Sequence, residues 1–266
     1  MAAVRLLHRH VHPRAVTTAA CLLVVAGTVS CSSVAQPADG RPAELIVFAA
    51  SSLTDAFADV EQTFEAEHPE VEVEVIVDSS STLAEQVVAG APADVLATAD
   101  EATMQRVTDE GLAARSPVTF ARNQLTLVTP AVDRTSVQSA VDLERDGVTY
   151  AVCVPDAPCG AAARALLDLL GVDAEPVTEE DNVRAVLTKV TAGEVDAGLV
   201  YISDAEAAGA DVGVVDLPRA GEVLTVNRIT ALSQAAEPEL ARDWVTLVSS
   251  AQGQRVLASY GFLPAP

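Results

Sequence analysis

The chain has 266 residues, half of them apolar and 20 % charged, so it is long enough for one large or two ordinary domains and too apolar for a disordered chain despite a formal charge of −22. Sixteen basic residues stand against 38 acidic ones, and Lys189 is the only lysine, which excludes nucleic acid as a partner because no basic run could neutralise its phosphates. Aromatic residues are 3 % of the chain, too few for base-stacking platforms or sugar cages, and this leaves a small ligand held by polar groups.

Arg5, Arg9 and Arg14 precede an uncharged stretch from Ala15 to Ser30, the pattern of a secretion signal over residues 1–30. The stretch is shorter than the roughly 20 residues a membrane-spanning helix needs, and polar sequence follows it instead of a stop-transfer pattern. A small residue directly before Cys31 resembles the bacterial lipobox, which implies lipidation of Cys31 and anchoring of the exported protein on the outer face of the cell membrane. Thr28 departs from that pattern, and ordinary signal cleavage is the alternative. Residues 31–42 then form a polar tether.

Cys153 and Cys159 are the only cysteines beyond Cys31. In an oxidising compartment a disulfide is expected of them, with a metal pair or a catalytic thiol as rivals. His8, His10 and His12 fall in the signal, so His68 is the only histidine of the exported part. A Ser/His/Asp triad or a multi-histidine zinc site cannot be assembled without it. His68 precedes Pro69 at a helix end and reads as a surface residue.

Leu45 to Ala50 is an apolar run, and Leu53, Ala56, Phe57, Val60 and Phe64 follow at helical spacing, so a strand feeds a helix. Val71, Val73, Val75 and Val77 alternate with polar residues as a half-buried strand does, and Ser79 to Thr82 open a helix that runs toward Gly90. Asp94 to Ala97, Leu125 to Val128 and Thr149 to Val154 read as further strands, with a helix capped near Asp100 after the first. An Ala/Leu-rich helix follows Pro158, and Asp181 and Asn182 cap another that runs toward Gly193. Ala197 to Tyr201, Val212 to Leu217 and Val223 to Ile229 are strand sequences, and two helices near 238–249 and 251–260 finish the chain. Repeated strand-helix units predict an α/β fold with mostly parallel sheets and ligands at the strand C-terminal ends.

Three strand-to-helix turns carry small residues and hydroxyls with no charged side chain: Ser51-Ser52-Leu53-Thr54, Ser79-Ser80-Ser81-Thr82 and Pro158-Cys159-Gly160-Ala161. Helix N-termini converging on one point make an anion site of neutral donors. Plain helix capping is the alternative for each turn alone. Tyr201, at the end of an apolar strand, reads either as a ligand contact or as a half-buried core tyrosine.

These turns, with Gly90-Ala91-Pro92-Ala93-Asp94-Val95, Thr98-Ala99-Asp100, Asp181-Asn182-Val183-Arg184 and Gly198 to Ala205, resemble the extracytoplasmic molybdate-binding proteins of molybdate ABC importers, in order from about Leu45 to Phe262. The resemblance implies a two-lobed periplasmic-binding-protein-like fold of type II, with residues 43–124 and 229–266 in lobe 1, residues 125–228 in lobe 2, and the oxyanion in the cleft between them. It implies Ser52 and Ser80 as ligands from lobe 1, and Cys159, Val183 and Tyr201 from lobe 2. Cys159 departs from the family pattern; contact through its backbone N–H would leave the side chain free to bond Cys153. Asn182 stands where the family carries an acidic residue, which makes the local field less unfavourable to an anion.

The implied function is high-affinity binding of molybdate, and of tungstate of similar size and charge, with delivery to an ABC transporter permease by a monomer. No catalytic residue, cofactor or direct cation ligand is implied. A fully deprotonated oxyanion needs only donors, whereas hydrogen phosphate needs an acceptor for its proton, and the matched ligand set contains no carboxylate. Receptors for another oxyanion such as sulfate, and an enzyme on a similar two-lobed fold, are the alternatives.

Overall fold

The computed structural model describes residues 42–132 and 137–266. The secretion signal, Cys31 and nearly all of the tether therefore lie outside the described residues. Strand β1 (Ala43–Ala50) runs into a 3-10 turn (Ser51–Leu53) and helix α1 (Thr54–Glu67). Helix α1 buries Ala56, Phe57, Val60 and Phe64, one apolar stripe at helical period. His68 ends this helix and stacks on Phe64 with ring centroids 4.4 Å apart, so it is half-buried, not a fully solvated surface residue.

Strand β2 (Val71–Asp78) lies parallel to β1, with Ala43 opposite Val71 and Ala50 opposite Asp78. Strand β3 (Val95–Thr98) pairs with the other edge of β1, Ala49 opposite Ala97. This register brings three strand C-termini level. Two carry the openings of α1 and α2 (Ser80–Val88), and the third leads to α3 (Glu101–Asp109). Asp94, the last residue of the Gly-Ala-Pro-Ala-Asp segment, is 3 % exposed and has a structural task. Its carboxylate accepts from the backbone N–H of Ile46 at 2.8 Å and of Ala236 at 2.7 Å, tying β1 to the C-terminal part of the chain.

A second parallel set is built on β5 (Tyr150–Cys153), flanked by β6 (Thr178–Glu180) and β7 (Ala197–Tyr201). Their ends feed α4 (Pro158–Leu170), α5 (Val183–Thr191) and α6 (Ile202–Ala208). The two sets are joined through β4 (Val118–Pro130). Residues Val118 to Gln124 pair with β9 (Leu224–Ala231), while Leu125 to Val128 pair with β7 and Leu127 to Pro130 with β8 (Val212–Val215). Helices α7 (Pro238–Ser249) and α8 (Ala251–Ser259) and the short β10 (Leu263–Pro264) complete the chain.

Three apolar cores result. One uses residues between Leu125 and Ala220 only. The other two draw on residues up to Ala121 together with residues from Ile229 onward. Those two lie on opposite faces of one sheet, since Val47 and Ala49 belong to one and Phe48 to the other. The larger is centred on Trp244, fully buried in edge contact with Phe57 and Phe64 at centroid separations of 5.7 and 5.4 Å.

The expectation of mostly parallel sheets is corrected to a mixed sheet. β4 and β9 run antiparallel to every strand they pair with, because each crosses between the two parallel sets. β6, β10 and α6 have no counterpart in the sequence reading, and β4 extends well before Leu125. Val118 to Gln124 mixes polar and apolar residues as an edge would, yet Asn123 is buried because its amide finds Ser203 Oγ at 2.8 Å.

Candidate anion-binding site

The level strand ends put their turns face to face. A small cavity of about 10 Å³ is walled by Ser52, Ser80, Cys159, Val183 and Tyr201, with Ser51, Ser79, Ala99, Pro158 and Asn182 among the other residues around it. All five residues implied by the family resemblance thus meet at one point, and none of the residues around the cavity carries a formal charge at neutral pH.

Capping does not account for the hydroxyls. The helix-opening turns at Ser51, Ser80 and Pro158 have no side-chain cap hydrogen bond. Ser79 at the N-cap of α2 instead bonds Ser81 Oγ at 2.9 Å. Ser80 Oγ accepts from the Ala99 N–H at 2.9 Å, which leaves its own O–H free to donate. Ser52 Oγ and Tyr201 Oη are both buried and neither has a hydrogen-bond partner among the described residues. A buried hydroxyl without a partner costs about 1–3 kcal/mol, and both of these residues line the cavity, which suits it to an acceptor.

Burial pushes the Tyr201 phenol far above its ordinary pKa, and the charges of Asp100 and Asp204 push it the same way. An interaction with the Thr225 side chain works against this rise without meeting hydrogen-bond geometry. Tyr201 therefore stays protonated and can only donate to an anion.

The backbone adds donors. Cys159 lies in the first turn of α4 and Val183 is the first residue of α5, positions whose N–H groups have no intrahelical acceptor. Asn182 caps α5 by accepting from the Ala185 N–H at 3.1 Å, so the Val183 N–H is not consumed by the cap. Cys159 is joined to Cys153 by a disulfide with a Cα separation of 5.7 Å, pinning the opening of α4 to the end of β5. Gly160 lets the helix sit that close: a Cβ there would lie 2.0 Å from the Val154 carbonyl oxygen.

Acidic and basic groups stand just outside this cavity. Asp55, in the first turn of α1, pairs with Arg184 of α5 at 2.7 Å. Asp78 Oδ1 accepts from both the Ser79 N–H at 2.7 Å and Asn182 Nδ2 at 3.1 Å. Asp204 is fully enclosed behind Tyr201, with Oδ2 accepting from the Tyr201 N–H at 3.2 Å and Oδ1 unpartnered. Desolvation lifts its pKa to about 7, against the opposing pull of Arg184. No sequence signal marks Asp78, which simply ends a strand, whereas Asp204 sits inside the family-like Tyr201 to Ala205 segment.

Among the described residues there is no group of three or more His, Cys, Asp or Glu side chains suited to a metal ion, and no helix is long and apolar enough to cross a membrane. Neutral donors gathered between two sets of parallel strands suit the enclosure of an anion.

Residues 45–263 match the family described as bacterial extracellular solute-binding protein, and the chain belongs to that family. It is 42 % identical over 246 residues to the molybdate-binding protein ModA of Mycobacterium tuberculosis, covering 90 % of this chain and 94 % of that one. It is 27 % identical to the putative ABC transporter substrate-binding lipoprotein YvgL of Bacillus subtilis, covering 90 % and 93 %. Among solved structures it superposes on the periplasmic molybdate-binding protein of Azotobacter vinelandii with a TM-score of 0.76 at 20 % identity, covering 84 % of this chain and all of that one, which bears out the two-lobed periplasmic-binding-protein fold.

Proposed function

We propose that this protein is an extracytoplasmic receptor that binds molybdate, and tungstate with it, and delivers the oxyanion to the permease of an ABC importer. The observation that carries this reading is the pair of buried, unpartnered hydroxyls, Ser52 Oγ and Tyr201 Oη, facing the same cavity as Ser80 and the openings of α4 and α5. Relatives with molybdate in their names support the choice of oxyanion.

In this reading Ser52 and Ser80 hold the anion from lobe 1, residues 43–124 and 229–266, and Cys159, Val183 and Tyr201 hold it from lobe 2, residues 125–228. The separation of the cores on either side of Gln124 and Leu125 supports that division. The side chains of Ser52, Ser80 and Tyr201 donate hydroxyl protons, and Cys159 and Val183 donate backbone N–H. Oriented dipoles stabilise a dianion in a closed cleft without a counterion, and they release it when the cleft opens. A proton-bearing anion fits poorly, since the cavity offers no carboxylate to accept its proton.

Lipidation of Cys31 would hold the receptor, a monomer, at the outer face of the membrane; a relative named as a lipoprotein supports this. One acyl chain gives only marginal attachment, so the multiply acylated cysteine of a lipoprotein is required. Cys31→Ala should then move the protein from the membrane to the soluble fraction.

Calorimetric titration of the purified protein with molybdate, tungstate, sulfate and phosphate tests the reading. Tight binding of the first two with weak or no binding of phosphate is expected. Binding of sulfate in preference to molybdate would replace the proposed ligand, and turnover of an organic substrate would replace the class.

A further inference from the structure

Closing a cleft on an anion requires something to hold the second lobe down, and the anion-contacting atoms are too few to explain every contact at the rim. The opening of α5 carries Val183, whose N–H meets the anion in the reading above, and both of its neighbours reach across to the first lobe. On one side Arg184 pairs with Asp55 of α1 at 2.7 Å. On the other, Asn182 Nδ2 donates to Asp78 Oδ1 at 3.1 Å.

Arg184 is oddly placed for any local purpose. A cation in the first turn of a helix opposes the helix dipole, whereas Asp55 in the first turn of α1 agrees with its own. Arg184 therefore serves a partner outside its helix. Asp78 is equally informative, because one carboxylate oxygen joins the two helix openings that face each other across the cavity: the N–H of Ser79, N-cap of α2, and the amide of Asn182, N-cap of α5.

The charge arrangement follows from this. Asp55 and Asp78 are two acidic groups on the first lobe beside a site for a dianion, a repulsive arrangement by itself. Contact with Arg184 and Asn182 offsets that repulsion only when the lobes are together. The pair Arg106 and Asp156, 3.1 Å apart, also bridges the lobes, but both side chains are about half or more exposed, and such a pair adds little.

We infer that Asp55–Arg184 and Asp78–Asn182 form a two-point latch that seats the opening of α5 in the closed cleft, so that these four are positioning residues for anion capture and not ligands. The inference rests on the proposed function, since it takes the cavity to be the anion site.

The test uses the purified exported protein, titrated by calorimetry with sodium molybdate and with sodium sulfate, so that variants are compared on whichever oxyanion the wild type binds. Arg184→Gln and Asp55→Asn should each weaken binding about two- to fivefold, the range for a partly exposed pair, and the double variant should be no weaker than the worse single one. Asn182→Asp keeps a good N-cap but sets a carboxylate against Asp78, and should weaken binding about tenfold or more. Combining it with Asp78→Asn restores an amide–carboxylate pair at unchanged net charge and should recover affinity to within about threefold of wild type. Small-angle scattering at saturating anion should show a larger radius for Arg184→Gln than for wild type at equal occupancy.

Singles that bind as wild type does, strictly additive losses at positions 55 and 184, or a swapped pair no better than Asn182→Asp, would each overturn the latch. Wild-type protein that binds neither oxyanion would overturn the proposed function instead.

Discussion

Removing a hydroxyl normally destabilises a protein and weakens its ligand together, but Tyr201 should separate the two effects. Its Oη is buried and bonded to nothing among the described residues, so Tyr201→Phe breaks no internal hydrogen bond and relieves a buried donor whose isolation costs about 1–3 kcal/mol. The anion-free variant should melt no lower than wild type. The same change removes one charge-assisted bond to the anion, about 1.5–3 kcal/mol, or roughly ten- to a hundredfold in affinity. Ser52→Ala should behave alike, since Ser52 Oγ is equally unpartnered.

Ser80→Ala is the contrast. Ser80 Oγ accepts from the Ala99 N–H at 2.9 Å, so the alanine variant orphans a buried amide and should lower the anion-free melting temperature as well as the affinity. At roughly 2–4 °C per kcal/mol for a chain of this size the loss is readily measured. Calorimetric titration with molybdate and thermal denaturation without it, on all three variants, give the six numbers required. Unchanged affinity in Tyr201→Phe and Ser52→Ala would mean the hydroxyls do not face the ligand. A marked fall in anion-free stability for Tyr201→Phe would mean its Oη is bonded after all.

Asp204 should make stability depend on pH. Its folded pKa of about 7 lies above the 3.8 of an ordinary aspartate, so the folded chain holds the proton between those values and the unfolded chain does not. The stabilising contribution is full below about pH 4 and is lost as pH rises through about 7; between pH 5 and 7 the change is on the order of 2 kcal/mol. Denaturant titrations of Asp204→Asn should lack that slope, and an identical slope in both proteins would refute the assignment. Gly160→Ala would drive a Cβ into the Val154 and Cys153 carbonyls, at 2.0 and 2.5 Å, and should cost about 3 kcal/mol and weaken anion binding as α4 shifts; wild-type melting and affinity would count against the packing described. The double variant Cys153→Ser and Cys159→Ser opens a short loop, with a sequence separation of 6, and should lose about 2 kcal/mol, read as a lower melting temperature in unreduced samples; equal melting temperatures would show that the bond adds nothing.

Some of this was readable from residues alone. The strand-helix units of the first parallel set follow from the alternation of Val71 to Val77 and the stripe from Ala56 to Phe64, because each element meets the core on one face and its period survives in the sequence. The serine-bearing turns stood out because three hydroxyls in a row exceed what one cap needs. Elements at the junction did not stand out. β4 changes partners midway, so Asn123 is buried in a strand that reads as half polar, and α6 starts immediately after Tyr201 with no break to announce it. The groups flanking the cavity were harder still. Asp55, Asp78 and Arg184 look like ordinary solvated charges in sequence, and their roles depend on contacts 104 and 129 residues away along the chain.

The joining strand also bears on how the chain reaches its native state. The core around Trp244 is closed by β9, α7 and α8, so it cannot be completed until the chain beyond Leu224 is available, whereas another core draws all its buried residues from between Leu125 and Ala220. A chain that emerges N-terminus first must therefore leave β3 without its β9 partner while the middle segment can collapse on its own contiguous sequence. Long-range pairing of this kind is slow and leaves the edge of β3 that β9 later covers open to wrong partners. Folding order would then run opposite to reading order, with the segment from Leu125 to Ala220 organising first and serving as the scaffold on which β4 presents its free half to the returning strand.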